Sequence, residues 1–110
     1  MPWNFANSDS TLTMELTVNS DAYSLSGSVI YNGISYAVQG GFVPANGPAV
    51  HTAFSFSGRN NPQPDAPNWI AVSGIAAGSP VNPSSLSVSM HGVSSQSQML
   101  TPFRGQLNPF

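Results

Sequence analysis

The 110-residue sequence contains no cysteine, no lysine and little charge of either sign. Without cysteine, the chain can form neither a disulfide framework nor a thiolate zinc site. Charged residues make up 5% of the chain, against about 25% in an average soluble domain. Two arginines and four acidic residues give a net charge of −2, so no basic cluster is present and nucleic-acid binding is not expected.

Long apolar runs are missing as well. No run approaches the roughly 20 residues that a membrane-spanning helix needs. The start of the sequence, Met1-Pro2-Trp3-Asn4, lacks the basic and apolar regions of a signal peptide. An outer-membrane barrel is not expected, because Pro109 interrupts the strand leading to Phe110 and the alternate positions before it are polar. The 40% hydrophobic content excludes a disordered tail, and the length predicts a single domain over residues 1–110.

The pattern that is present is an alternation of apolar and polar residues, which predicts β-strands with one apolar face. In Thr11–Val18, for example, Leu12, Met14 and Leu16 share one face. The same alternation predicts strands over 23–31, 34–42, 50–56, 69–77, 86–90 and 101–107, with turn residues at 46–48, 60–67 and 79–83. Asn32-Gly33 is typical of a tight hairpin turn, because both of its central residues need a positive φ. The predicted fold class is all-β.

Glycines in the predicted strands favour a closed barrel over a two-sheet sandwich, which stays the alternative. Six strand segments carry one, at Gly27, Gly40, Gly58, Gly74, Gly92 and Gly105. Glycine weakens a strand and marks a kink or a close backbone approach, which a strongly coiled sheet needs in order to close. The absence of lysine agrees with closure, because open sheet edges are usually protected by charge. Weak charge repulsion also predicts a homo-oligomer.

Side chains suited to catalysis or metal binding are few. The carboxylates Asp9, Asp21 and Asp65 lie among turn residues, where aspartate usually caps backbone amides. His51 and His91 show no metal-ligand spacing. We therefore expect no enzyme, no cofactor and no metal, and keep as a third hypothesis a calycin-like barrel enzyme that uses the two histidines.

Aromatic side chains are the candidates for ligand contacts. Trp69 follows the long proline-rich segment Arg59–Asn68, which is predicted to be a loop at the binding site. Tryptophan and tyrosine combine apolar area with one hydrogen-bonding group, which suits a small neutral molecule or a sugar. Arg59 and Arg104 could each pair with Asp65 or hold a carboxylate.

Several segments resemble the avidin and streptavidin family. Trp3–Asn7 with the turn that follows resembles its opening strand, Ser24–Ser28 its Leu-Thr-Gly-Thr strand, Ala53–Asn60 a later strand, and Met99–Gly105 the final one. The resemblance implies an eight-stranded antiparallel up-and-down meander closed into a barrel, assembled as a dimer or tetramer, with a ligand at the barrel mouth.

This sequence departs from the family pattern at the ligand site. The family's central pocket tryptophan falls near Phe56 or Gly58, and the tryptophan contributed across the subunit interface falls at Met99. Unpaired polar groups in a buried site cost about 1–3 kcal/mol each. The resemblance therefore supports the barrel and argues against inherited biotin binding.

The sequence thus predicts a non-catalytic, self-associating binding module that takes a small neutral molecule or a sugar at the barrel mouth. The candidate ligand-binding residues are Asn4, Ser10, Tyr31, Phe56, Asn68 and Trp69. The alternative is an assembly protein with no ligand pocket. The richness in serine, glycine and asparagine slightly favours a secreted or surface-associated protein over a cytoplasmic one.

Overall fold

Eight β-strands make up the fold in the computed structural model, which describes residues 2–43, 51–60, 68–78, 83–94 and 96–110. The strands are β1 (Pro2–Ala6), β2 (Leu12–Asn19), β3 (Ser24–Tyr31), β4 (Ile34–Val43), β5 (His51–Asn60), β6 (Trp69–Ala77), β7 (Ser85–Val93) and β8 (Phe103–Pro109).

Each strand pairs antiparallel with the next one in sequence, and β8 returns to pair with β1. The prediction of a closed eight-stranded meander barrel is therefore confirmed, and the two-sheet sandwich is excluded. Within the described ranges there is no helix with the length and hydropathy needed to cross a membrane.

Several strand ends differ from the predicted ones. The predicted loop Arg59–Asn68 is wrong at its start, because β5 continues through Asn60 and pairs Arg59 with Trp69. The last strand begins at Phe103 rather than at residue 101, since Pro102 has no N–H to donate to a ladder. It then runs through Pro109, which was expected to interrupt it.

The Asn32-Gly33 turn has the predicted backbone geometry. Both residues have positive φ, 51° at Asn32 and 82° at Gly33, as a two-residue hairpin between antiparallel strands requires. Of the other predicted turns, 46–48 lies outside the described residues, and 60–67 and 79–83 lie largely outside them.

The barrel interior is filled by apolar side chains from all eight strands. The alternation places Leu12, Met14 and Leu16 inside, each at most 1% exposed. Trp3 lies against Phe54 with ring centroids 5.4 Å apart in an edge-to-face arrangement. No buried side-chain nitrogen or oxygen lacks a hydrogen-bond partner in the part of the chain that the structure describes.

A compact polar turn joins β1 to β2. The Asp9 carboxylate accepts hydrogen bonds from the Thr11 N–H at 3.1 Å, the Thr11 hydroxyl at 2.6 Å and the Asn7 side-chain amide at 2.8 Å. These bonds, led by that from the Thr11 hydroxyl, lower the pKa of Asp9 below its ordinary value of 3.8. The residue therefore fastens the turn, as aspartate in a turn commonly does.

The stability of the fold at acidic pH should depend on whether the Asp9 carboxyl group is ionised. A carboxyl group with a lowered pKa in the folded state stabilises the fold above its unfolded pKa, and this contribution is lost as the pH falls through the folded value. We expect the melting temperature of the wild type to exceed that of Asp9→Asn at neutral pH, and the difference to shrink as the pH falls below 3.8.

The matched control is Asp21→Asn, where the hydrogen bond in the turn uses the backbone N–H of Asp21 and the side chain of Asn19. Thermal unfolding of the three proteins across the acid range is the measurement. A constant difference between the wild type and Asp9→Asn would contradict the assignment.

Candidate binding groove on the barrel wall

Two of the predicted ligand-binding residues point into the barrel. Tyr31 is 6% exposed, and its hydroxyl donates to the Thr101 carbonyl at 2.9 Å. Phe56 is 4% exposed and stacks on Phe54 with ring centroids 6.0 Å apart. Both side chains fill the core, and Tyr31 also fastens the segment that leads into β8.

Two others lie near the start of the chain. Asn4 is half-buried on β1 at the outward position between Trp3 and Phe5, and its carbonyl accepts the Phe110 N–H at 3.1 Å. Ser10 is exposed in the β1–β2 turn with a φ of 60°. Neither side chain points into the barrel.

The last two lie at the start of β6. The backbone N–H of Asn68 donates to the Asn60 side chain, while the Asn60 N–H donates to the Asn68 carbonyl at 3.2 Å. This exchange fixes the end of β5 against the start of β6. Trp69, the next residue, lies on the outer wall with 40% of its surface exposed.

The six residues therefore do not share one surface: two lie in the core, and the others lie on the barrel wall or in the connections. The predicted mouth is also occupied at one point. Leu100 donates its N–H to the Gly92 carbonyl at 2.9 Å, and its side chain lies against Gly92, a buried position near the end of β7.

A groove on the outer wall is the better-formed site. It has a volume of about 750 Å³ and crosses four strands, from β4 to β7. Its lining residues are Gln39, Ser57, Gly58, Arg59, Trp69, Ile70, Ala71, His91, Gly92, Val93 and Met99.

The strand register builds the groove in two rows of outward side chains. One row runs across the strands through Gln39, Ser57, Ala71 and His91. The next row runs through Arg59, Trp69 and Val93, and Val93 pairs with Met99 beyond β7. The small side chains at the centre of the first row form a floor, and the larger side chains of both rows form the walls.

These groups suit a ligand with one apolar face and several hydroxyl groups. The exposed indole of Trp69 offers a flat apolar surface with one N–H donor. The amide of Gln39 can donate and accept, and the guanidinium of Arg59 presents several donors. The imidazole of His91 closes the other end of the first row.

Sequence reasoning identified Trp69 but missed Gln39, Ser57, Ala71 and Met99. Each is an outward residue of unremarkable type, and the alternation shows only that it faces away from the core. Their proximity depends on the cross-strand register, because a shift of one residue would turn them to the other face. The one available indication was that Ser57 shares outward parity with Arg59 on β5, the strand that leads into the long connection.

The two histidines do not form a common site. His51 pairs with Ala77 and His91 pairs with Ala71, so they lie six residues apart along β6, roughly 20 Å. In the described part of the chain, no group of three or more metal-ligating side chains comes together. Asp65, considered as a partner for either arginine, lies outside the described residues.

The fold and the groove together define a closed antiparallel β-barrel with an aromatic groove on its outer wall. No protein-family model, curated protein or solved structure gives a significant match to the chain.

Proposed function

We propose that the protein is a non-catalytic binding module for a small neutral molecule or a sugar, with its site in the outer groove rather than at the barrel mouth. The carrying observation is the half-exposed Trp69 indole beside a floor of small side chains, with the polar side chains of Gln39, Arg59 and His91 at the edges of a mostly apolar groove. An aromatic surface next to hydrogen-bonding groups is how proteins hold the apolar face and the hydroxyl groups of a pyranose ring.

The charges on the groove favour a neutral ligand. Among the described residues of the lining, Arg59 is the only one with a permanent charge, and none of them is a carboxylate that could bind a cation. The shallow, open shape leaves one side of a ligand in water, where the hydroxyl groups of a sugar ring stay hydrated.

The avidin resemblance enters this proposal through the fold. The eight-stranded closed barrel is compatible with an avidin-like fold, and the filled interior supports the expectation that biotin binding is not inherited. Phe56 packs in the core near the place of the family's pocket tryptophan, and Met99 is 72% exposed at the groove.

Removal of the indole should abolish most of the binding. We expect Trp69→Ala to weaken the affinity for the best neutral methyl glycoside by about 30-fold, since a central tryptophan commonly contributes 2 kcal/mol or more to binding. Methyl glucoside, galactoside and mannoside are titrated first, with biotin as a further probe. Isothermal titration calorimetry measures the binding in every variant, because Trp69→Ala removes the exposed tryptophan that fluorescence would follow and leaves only the fully buried Trp3.

The matched control is Ile75→Ala, which removes another outward side chain of β6 that is 45% exposed and lies outside the groove lining. This variant should bind as the wild type does. Equal losses in the two variants, or binding that persists in Trp69→Ala, would place the ligand elsewhere.

A second candidate function is assembly without a ligand, favoured by the outer wall beside the groove. One register row across β3 to β7 consists of Ser24, Gly41, Ser55, Ser73 and Ser89. Uncharged small side chains allow a flat surface, such as that of a second copy, to approach closely. Sedimentation beside the titrations separates the two candidates: large particles with no response to any probe favour assembly.

A further inference from the structure

The seam between β1 and β8 is much shorter than the other strand pairings of the barrel. Two residue pairs join the strands, Phe5 with Pro109 and Ala6 with Asn108, and the Phe110 N–H adds one bond to the Asn4 carbonyl. By contrast, β2 and β3 pair over eight residues. β1 ends at Ala6, whereas β8 begins at Phe103, so the first part of β8 extends past its neighbour.

The pairing of β8 with β1 also shows which backbone groups of β8 point towards β1 rather than towards β7. Because the Phe110 N–H points towards β1 and strand residues alternate, the N–H and C=O groups of Asn108, Gln106 and Arg104 point the same way. On that side, Asn108 is paired with Ala6 of β1. For Arg104 and Gln106, no described residue supplies a backbone or side-chain hydrogen bond on that side.

Among the described residues, protection of this edge is confined to the charge of Arg104 and to Pro102, which directly precedes the strand. Arg104, Gly105 and Gln106 are all exposed. Strand edges are normally blocked by lysine, proline, inward charge or a covering loop, because they otherwise pair with another strand. Pro102 precedes the strand, and Pro109 lies at an alternate position whose missing N–H would point towards β7, so neither removes an N–H of Arg104 or Gln106.

We propose that this edge, Phe103–Leu107 of β8, is the docking site for the same segment of a second copy, in a two-fold antiparallel pair. This docking site shares no residue with the lining of the outer groove or with the row of small residues that crosses β3 to β7. Pairing Arg104 with Gln106 of the second copy joins their free backbone groups in both directions, for four hydrogen bonds. A symmetric pair of this kind closes on itself and does not lead to fibres.

The register is favoured by charge and by side-chain size. It places the Arg104 side chain opposite a neutral amide, whereas sliding the pair by two residues would place two Arg104 side chains opposite each other. Gly105 meets Gly105 at the centre, where an added Cβ would meet only the Phe103 ring of its own chain. On the inner face, the half-buried Phe103 lies opposite Leu107 of the second copy.

The experiment compares sedimentation of the wild type with Gln106→Pro and Gln106→Thr across the micromolar range. Proline removes an N–H that the barrel itself does not use, so the variant should keep the wild-type melting temperature and dissociate at least about tenfold more readily, since two of the four hydrogen bonds are lost. Gln106→Thr changes the side chain but keeps the N–H, and should dimerise as the wild type does.

Three results would overturn the proposal. They are a wild type that stays monomeric, equal dimerisation of the proline and threonine variants, and a dimer broken by Ser73→Arg on the outer wall but not by Gln106→Pro. If Gln106→Pro fails to fold, amide exchange of the wild type decides. Exchange at Arg104 and Gln106 should slow as the concentration rises, and exchange rates independent of concentration reject the pairing.

Discussion

Replacement of Trp3 by alanine is expected to lower the free energy of unfolding by about 3–5 kcal/mol. Trp3 is fully buried and contacts the rings of Phe5 and Phe54, with centroids 6.2 Å and 5.4 Å away. Its strand, β1, has few other attachments on the β8 side. Removing the indole leaves a cavity and weakens the hold of the core on the strand that closes the barrel.

The loss is large compared with the whole stability of a small domain, roughly 5–15 kcal/mol. Denaturant unfolding followed by circular dichroism measures it, because the variant lacks one of the two fluorescent tryptophans. Trp69→Ala is the matched control, since it removes the same side chain from an outer wall position that is 40% exposed. It should cost less than about 1 kcal/mol, and similar losses in the two variants would contradict the packing argument.

Gly40→Ala is expected to be comparably harmful, with a loss of about 3 kcal/mol, because the new methyl group meets backbone rather than a flexible side chain. An added Cβ would lie 2.5 Å from the Cα of Phe56 and 2.7 Å from its Cβ, and closer still to the carbonyl oxygen of Ser55. These atoms belong to the β5 ladder opposite Gly40, so they can move only if the register between β4 and β5 is disturbed.

Gly105→Ala is the control for this prediction. There an added Cβ would meet the Phe103 ring at 3.4 Å and 3.7 Å, which is near ordinary contact with a side chain. Its unfolding free energy should stay within about 0.5 kcal/mol of the wild type. If Gly40→Ala is equally mild, the strands are not held as closely there as the structure shows.

Local pattern was sufficient for the core and for most strand positions. The inward positions Leu12, Met14 and Leu16 follow from alternation alone, since the side-chain period of a strand is two residues. Asn32-Gly33 likewise predicts its own turn, because the requirement for positive φ acts within two residues. Strand ends were predicted less well: β5 continues to Asn60 because Trp69 on the neighbouring strand pairs with Arg59.

The candidate site shows the limit of that reasoning. Tyr31 and Trp69 are both aromatic residues near strand ends. Tyr31 nevertheless lies inside the barrel, where its hydroxyl donates to the Thr101 carbonyl, whereas the ring of Trp69 lies on the outer wall. Parity along each strand separates them, but residue type does not. The residues that line the groove with Trp69 lie up to about thirty residues away from it in sequence. They come together only because the register aligns neighbouring strands, which lie roughly 5 Å apart.

The scarcity of charge and the alternating pattern thus determined an all-β chain with weakly repelling surfaces, because composition and a two-residue period act without reference to distant segments. Only the tertiary structure decided that the sheet closes, that Gln39, Ser57, Ala71 and His91 form one row, and that β8 extends past β1. Each of these depends on hydrogen-bond register between strands, and a register is a property of pairs of segments rather than of either sequence alone.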